Sequence, residues 1–507
     1  MKKRNLQRIF AAFMATAMVV GATACDSKDN NNSGDNNSTT PATSSNETTP
    51  ATSSNDSNTT TPATTDDKKP DDSSSTVTTP TPEVDPYANV DLGGMEIIVR
   101  DWWSPEEPAA PANDYEEARN NYRQEMMDKY NFKIRSLAIS DWGSAPQDFV
   151  DYVNEGGDDK NYVFLLRNDP AVVGAMAAGL MYDLSTIDCL DFSEEKYQQN
   201  RTHEMYSYGK SIYCFFAGPS EPRDGMFFNP NVLKEGGHTA DEIYDMQANG
   251  TWTWEAFEKI MADCQKDTDG DGVPNYFGLC CNNGTCVTAA VISNGGEYIG
   301  KDANGNFTYR LEDPETTEAL QWIADIFAKY NNHDPEGAAW DYYMQEFKDG
   351  TIAFMMDQEY QVGVNGRFYS DTPFTPGFVM FPKGPKAATY INLWDNNPHC
   401  IPGCYDAQRA WNIAFAFNLY SNPVPGYEDY NEYVVTAKNG IVDERAQDET
   451  IPMMSEPEHG TVTYHAVVPD LNAGPEFIWN IYGGCDVAAA QEAIRDTWKA
   501  YIDAANK

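Results

Sequence analysis

The chain has 507 residues and a formal net charge of −43, from 78 acidic and 35 basic side chains. A surface of that sign repels phosphate backbones and anionic headgroups, which excludes nucleic acid as a natural partner. Aromatic residues make up 12% of the chain, with 11 Trp and 29 Tyr, enough to line a binding surface as well as a core.

The first 25 residues read as an export signal. Lys2, Lys3, Arg4 and Arg8 precede an apolar stretch over 9–24, shorter than the roughly 20 residues a spanning helix needs. It ends in Ala22, Thr23 and Ala24 before Cys25, which is similar to a lipobox with Ala22 where Leu is usual. The likeness implies cleavage there and acylation of Cys25, so the protein is expected on the outer face of the membrane, held by lipid, in a Gram-positive cell. No later segment is apolar enough to cross a bilayer. Residues 26–86 are nearly all Ser, Thr, Asn, Asp and Pro, and the run at 39–46 recurs at 48–55. Such a composition buries too little apolar surface to offset the entropy of ordering, so it is expected to be a linker. As a flexible coil it would span roughly 40–50 Å root-mean-square. Of the ten cysteines, nine remain once Cys25 is set aside, an odd number that leaves at least one unpaired within the chain.

The rest, 87–507, begins with alternating elements: a strand over 95–99, a charged helix over 113–130, a strand over 132–139, a helix over 144–155, a strand over 162–166 and a helix starting at the cap-type Asp169. This order predicts a mostly parallel sheet with helices on its faces. Ligands bind beyond the carboxyl ends of such strands. Those ends carry Asp101, Trp102 and Trp103, then Trp142, then Arg167 and Asp169. If the chain runs on extended, Trp102 and Trp103 point opposite ways and one of them faces the ligand.

A second section starts near 225. It holds a strand-like 226–229, helices over 253–265 and 314–329, and a segment from Trp340 to Phe347 that leads through Gly350 into an apolar strand over 351–356. A strand over 378–381, a helix over 407–420 and an amphipathic helix over 486–505 follow. Roughly 420 residues exceed what one compact core holds, so two lobes are expected. Between the two helices, Asp267, Asp269, Asp271 and Asn275 alternate around Gly272 in the manner of a calcium loop. Gly278 stands where a full loop has its bidentate Glu. A structural calcium ion is expected there, and no other cofactor. Gly295-x4-Gly300-Lys301 mimics a phosphate loop, but Asp302 replaces the required Ser or Thr. Neither G-x-S-x-G nor H-E-x-x-H occurs, and among 78 acids carboxylate pairs arise by chance, so nothing marks an enzyme.

Five segments in order, 226–236, 251–257, 347–355, 378–385 and 401–420, resemble the extracellular solute-binding proteins of ABC importers, the family 1 or maltose-binding-protein-like group. The resemblance implies a type II periplasmic-binding-protein-like fold: two α/β lobes, each a mostly parallel sheet flanked by helices, with the ligand in the cleft between them. Lobe I would be 87–224 with about 376–425, lobe II 225–375 with about 426–485, and 486–507 a C-terminal helix. Closure on the ligand would present it, chemically unchanged, to ABC permease subunits. The stretch 421–485 departs from the family's compact ending. A saccharide site needs flat rings for its C–H faces and polar groups for its hydroxyl rim. The candidate ligand-binding set is Asp101, Trp102, Trp103, Trp142, Arg167, Asp169, Trp340, Tyr360, Trp394 and Asp395, with Tyr360 and Trp394 where the family carries cleft aromatics. A secreted carbohydrate-active enzyme, or a surface adhesin or sensor on a related fold, is the alternative.

Overall fold

The computed structural model describes residues 86–362 and 372–507. Cys25, the signal and the linker lie outside the described residues. In chain order the strands of the two main sheets are β1 (Met95–Asp101), β2 (Phe132–Ala138), β3 (Asn161–Leu165), β4 (Cys214–Phe215), β5 (Asp224–Phe228), β6 (Phe277–Cys281), β7 (Ile352–Gln358), β8 (Gly377–Val379) and β9 (His399–Cys400). Five helices matter to the site: α1 (Asp114–Tyr130), α2 (Pro170–Ala177), α3 (Asn283–Ser293), α4 (Ala407–Tyr420) and α5 (Glu432–Gly440).

The first sheet runs β2-β1-β3-β9-β4, with β1 parallel to both β2 and β3 and β9 antiparallel to its neighbours. Its helices start where polar side chains satisfy the free N–H groups of the first turn. Asn113 accepts from Glu116 N, Asp169 from Ala171 N ahead of Pro170, and Asp406 from Arg409 N. Asp114, Glu116 and Glu117 in the first turn of α1, with Lys129 in its last, suit the helix dipole. Ile97, Val99, Ile134 and Val163 bury one face of this sheet against α1 and α4, whose Ile413, Ala414 and Phe417 are also buried. Tyr162 and Phe164, alternating to the other face, join a larger core that continues through the second sheet.

The second sheet runs β8-β5-β7-β6. It departs from the expected parallel arrangement: β5 pairs antiparallel with both β7 and β8, and only β7 and β6 are parallel. The cause is the chain path, since β5 enters this sheet straight from the first one. The return comes later than the expected boundary at 376. Gly377–Val379 still pairs with β5, and the chain rejoins the first sheet only at β9. Residues 427–433, expected in lobe II, instead pack on α1: Tyr430 stacks on Tyr115 at 3.7 Å and Arg119 bonds both carboxylate oxygens of Glu432 at 3.0 Å. No described helix is long and apolar enough to cross a membrane. All nine described cysteines are thiols, and seven of them are buried.

Candidate functional site

Three passages connect the sheets: residues 216–223, 380–398 and the stretch after Tyr420. They are tied to one another where they meet. Pro222 bridges Trp394, Asn396 Oδ1 accepts from Glu221 N at 2.8 Å, and Asn392 and Leu393 pair with Gly460 and Thr461. At that junction lies a cavity of about 290 Å³. Asn168 reaches it from the carboxyl end of β3, Gln358 from the end of β7, and Asn282, Thr285 and Thr288 from the start of α3 after β6. The carboxyl ends of both sheets therefore converge on one space, with Arg223, Asp224, Trp394 and Asp395 of the crossings between them.

Two groups at this cavity are polar, buried and unsatisfied. Trp394 is 2% exposed and its Nε1–H has no partner; Asp224 is 7% exposed and its Oδ1 has none. Buried polar atoms are almost always paired, so an orphan donor and an orphan acceptor on two residues lining one cavity set this place apart. Burial pushes the Asp224 carboxyl up to about 7, helped by the carboxylates of Asp395 and Asp357. Asp395 is raised by burial as well, against the pull of Arg223. His465, also on the wall, is held neutral because burial lowers it to about 4. The indole lies flat against a residue with no side chain: a Cβ on Gly460 would sit 1.7 Å from Trp394 Cε2. Gly460 has φ −108°, an ordinary extended value, so it is the indole and not the backbone that requires glycine.

The predicted residues divide into groups. Trp394 and Asp395 line the cavity. Tyr360 stands beside it, 45% exposed, its ring 5.5 Å from the Arg223 guanidinium. Trp103, Trp142 and Trp340 are 60%, 60% and 66% exposed, rings placed in solvent rather than in a core. Trp142, Arg167 and Asp169 form one cluster: the guanidinium lies 4.3 Å over the indole, its Nε donates to Trp142 O at 2.9 Å, and Nη2 meets Asp169 Oδ2 at 2.7 Å. Asp169 Oδ1 caps α2, so neither oxygen is free for a ligand. Asp101, expected to hold a hydroxyl pair, is likewise committed. It is buried and accepts from Ser104 N at 2.9 Å, Trp103 N at 3.2 Å and the Ser104 hydroxyl, closing the turn after β1. That turn also overrides the expectation that Trp102 and Trp103 diverge, since their rings meet edge to face at 5.1 Å.

Sequence reasoning missed Asp224, Asn282, Thr285, Gln358 and His465. The carboxyl-end rule applied to the second sheet would have found Asn282, which directly follows the strand 277–281, and Gln358, which closes the strand that begins with the apolar run 352–356. The Asp267, Asp269 and Asp271 carboxylates lie within 4.8 Å of one another, a convergence that fits a hard cation. Asn275 Oδ1 accepts from Thr268 N and Oγ1 at 2.6 Å, and its Nδ2 donates to Asp269 Oδ2 at 3.4 Å.

No family model matches the chain, and no curated protein sequence matches it. Solved structures do. The cyclic α-maltosyl-1,6-maltose binding protein of Arthrobacter globiformis superposes with a TM-score of 0.54 at 14% identity, over 81% of this chain and 99% of that one. RafE of Streptococcus pneumoniae in its apo form gives 0.50 at 14% identity, over 82% and 99%. A sugar transporter of Rhizobium etli in an open conformation gives 0.50 at 13% identity, over 80% and 99%. The fold is that of the two-lobed, maltose-binding-protein-like solute-binding proteins.

Proposed function

We propose that the protein is the substrate-binding lipoprotein of an ABC importer, capturing an extracellular sugar or oligosaccharide between its lobes and releasing it unchanged to permease subunits. The observation that carries this reading is the junction cavity, whose lining includes Trp394 and Asp224, each with a buried polar atom that has no partner, beside Asn, Gln and Thr side chains. Sugar hydroxyls supply both donors and acceptors, so they offer a partner to either group. Tyr360, exposed beside the junction cavity, is a flat surface of the kind a sugar ring packs on; Trp103, Trp142 and Trp340 are exposed but do not line that cavity. The similar proteins of Arthrobacter and Rhizobium are, by their names, a cyclic maltosyl-maltose binding protein and a sugar transporter, which supports the same cargo class here. Cys25 would carry the lipid and 26–86 the tether, placing the lobes outside the cell. The three clustered aspartates would hold calcium as a structural clip.

No step of this function breaks a covalent bond. Affinity would come from satisfying buried polar atoms and covering rings, and the hinge would consist of the three crossings. The test is a thermal-shift screen against neutral mono- and oligosaccharides. A true cargo raises the melting temperature by mass action, and Asp224→Asn removes the shift. A screen in which every sugar leaves the melting temperature unchanged, or in which sugar is cleaved, refutes the reading.

A further inference from the structure

On the other side of Arg223 from the junction cavity lies a second, larger one of about 570 Å³. Arg223 lines both, and Tyr360 stands at their boundary with its ring over the same guanidinium. Its walls come from α1, from the first crossing and from residues 420–436, nearly all of them in the stretch 421–485 that departs from the family ending.

The sequence Tyr427-Glu-Asp-Tyr430-Asn-Glu-Tyr433 puts three tyrosines on this cavity, at a spacing of three. Tyr115 of α1 stacks on Tyr430 at 3.7 Å and meets Tyr427 edge-on at 5.6 Å. Tyr420 and Tyr360 add two further rings. Tyr115 and Tyr430 cover one face of each other and Arg123 covers one face of Tyr420, so these rings offer a guest their edges and remaining faces, with phenol groups for a polar rim.

The charged groups argue for a neutral guest. Four cations line the cavity, and each is already engaged. Arg119 is paired with Glu432, and Arg223 with Glu221. Lys196 bonds Asn418, Asn422 and Glu194. Arg123 lies 3.6 Å over Tyr420 and donates to its carbonyl at 3.0 Å. An anion would find no unshared positive charge. What is unshared is hydrogen-bonding capacity: Glu359 Oε2, Tyr433 Oη and Arg119 Nε are buried without partners, two acceptors and two donors among them. Hydroxyl groups on a ring, not a phosphate or carboxylate, complement that set.

We infer that the cargo is a neutral oligosaccharide whose chain runs from the junction cavity past Arg223 and Tyr360 into this tyrosine cage, which is a second subsite for its further units. The inference rests on the reading of the junction cavity as a sugar site. It also gives the departing 420–436 segment a purpose, since that segment builds one wall of the subsite.

Calorimetric titration of the full chain with neutral gluco-, xylo-, manno- and galacto-oligosaccharides of one to six units tests it. In the series that binds, wild-type affinity rises with length. Tyr430→Ala lowers affinity tenfold or more for the long members and leaves mono- and disaccharides unchanged. Glu359→Gln, which keeps the side-chain shape, shows the same length dependence and decides the case if the alanine variant is unstable. Asp224→Asn lowers affinity at every length. If affinity does not rise with length, or if both cage variants bind every length as the wild type does while Asp224→Asn is impaired, the second subsite is refuted and the junction site stands. If the wild type binds none of the sugars, both readings fall.

Discussion

Replacing Gly460 by alanine puts the fit of the site to a direct test. The added Cβ would lie 1.7 Å from Trp394 Cε2, 1.9 Å from Cζ2 and 2.3 Å from Nε1. Carbon atoms in contact sit near 3.5–4.0 Å, so the indole must move by about 2 Å or the 460–461 strand must leave its pairing with Asn392 and Leu393. The backbone offers no relief through φ, which is ordinary for alanine. Overpacking of this kind costs about 1–3 kcal/mol. A 2 Å displacement also takes Nε1 out of hydrogen-bond reach of a bound hydroxyl, worth about 1–1.5 kcal/mol, or roughly tenfold in affinity. Urea denaturation and sugar titration of Gly460→Ala read the two losses separately. The double variant Gly460→Ala/Trp394→Ala supplies the control. With the indole gone the new methyl has room, so the two stability losses fall well short of adding. A Gly460→Ala protein with wild-type stability and affinity, or strictly additive losses in the double variant, would refute the packing argument.

Three further outcomes follow from individual groups. Burial raises the Glu359 carboxyl from 4.5 to about 8 and the Asp224 carboxyl from 3.8 to about 7, so the unfolded chain gives up these protons first as pH rises. Their contribution to stability is complete below about pH 4 and is lost as pH rises through 7 to 8; urea midpoints across that range should fall, and Glu359→Gln should flatten the fall. Lys301 Nζ donates to Glu204 O at 2.6 Å, Ser207 O at 2.7 Å and Ser207 Oγ at 2.9 Å, so Lys301→Met leaves buried acceptors open and should lower stability by about 1–3 kcal/mol in urea. If the aspartate loop holds calcium, 1 mM calcium raises the melting temperature of the wild type and not of Asp267→Asn/Asp269→Asn; equal curves would remove the ion from the account.

The first sheet was legible because its elements are local: apolar runs of strand length, capped helices between them, and strand ends carrying Trp and Arg. The second was legible as elements but not as a sheet, because the antiparallel pairing of β5 with β7 and β8 depends on the path between lobes and leaves no mark in periodicity. Trp394 and Asp395 could be placed by their position before a late helix. Asp224 could not, because its role comes from burial at a junction of three segments distant in sequence. Asp101 and Asp169 show the converse. Their type and position suited a ligand, but turn closure and a helix cap had already claimed their oxygens. Short-range hydrogen bonds compete for Asp wherever a strand ends, and that competition is invisible until the turn geometry is known. The tyrosine cage stood in plain view as a three-residue repeat at 427–433, yet only the fold brings α1 against it.

Equilibrium dialysis of the full chain against a neutral oligosaccharide, followed by chromatography of the recovered sugar, tests the central claim most directly. The account predicts saturable one-to-one uptake, its loss in Asp224→Asn, and recovery of the sugar at its original length. Shortened sugar in the recovered fraction, or uptake that Asp224→Asn leaves intact, would contradict capture without chemistry at this junction.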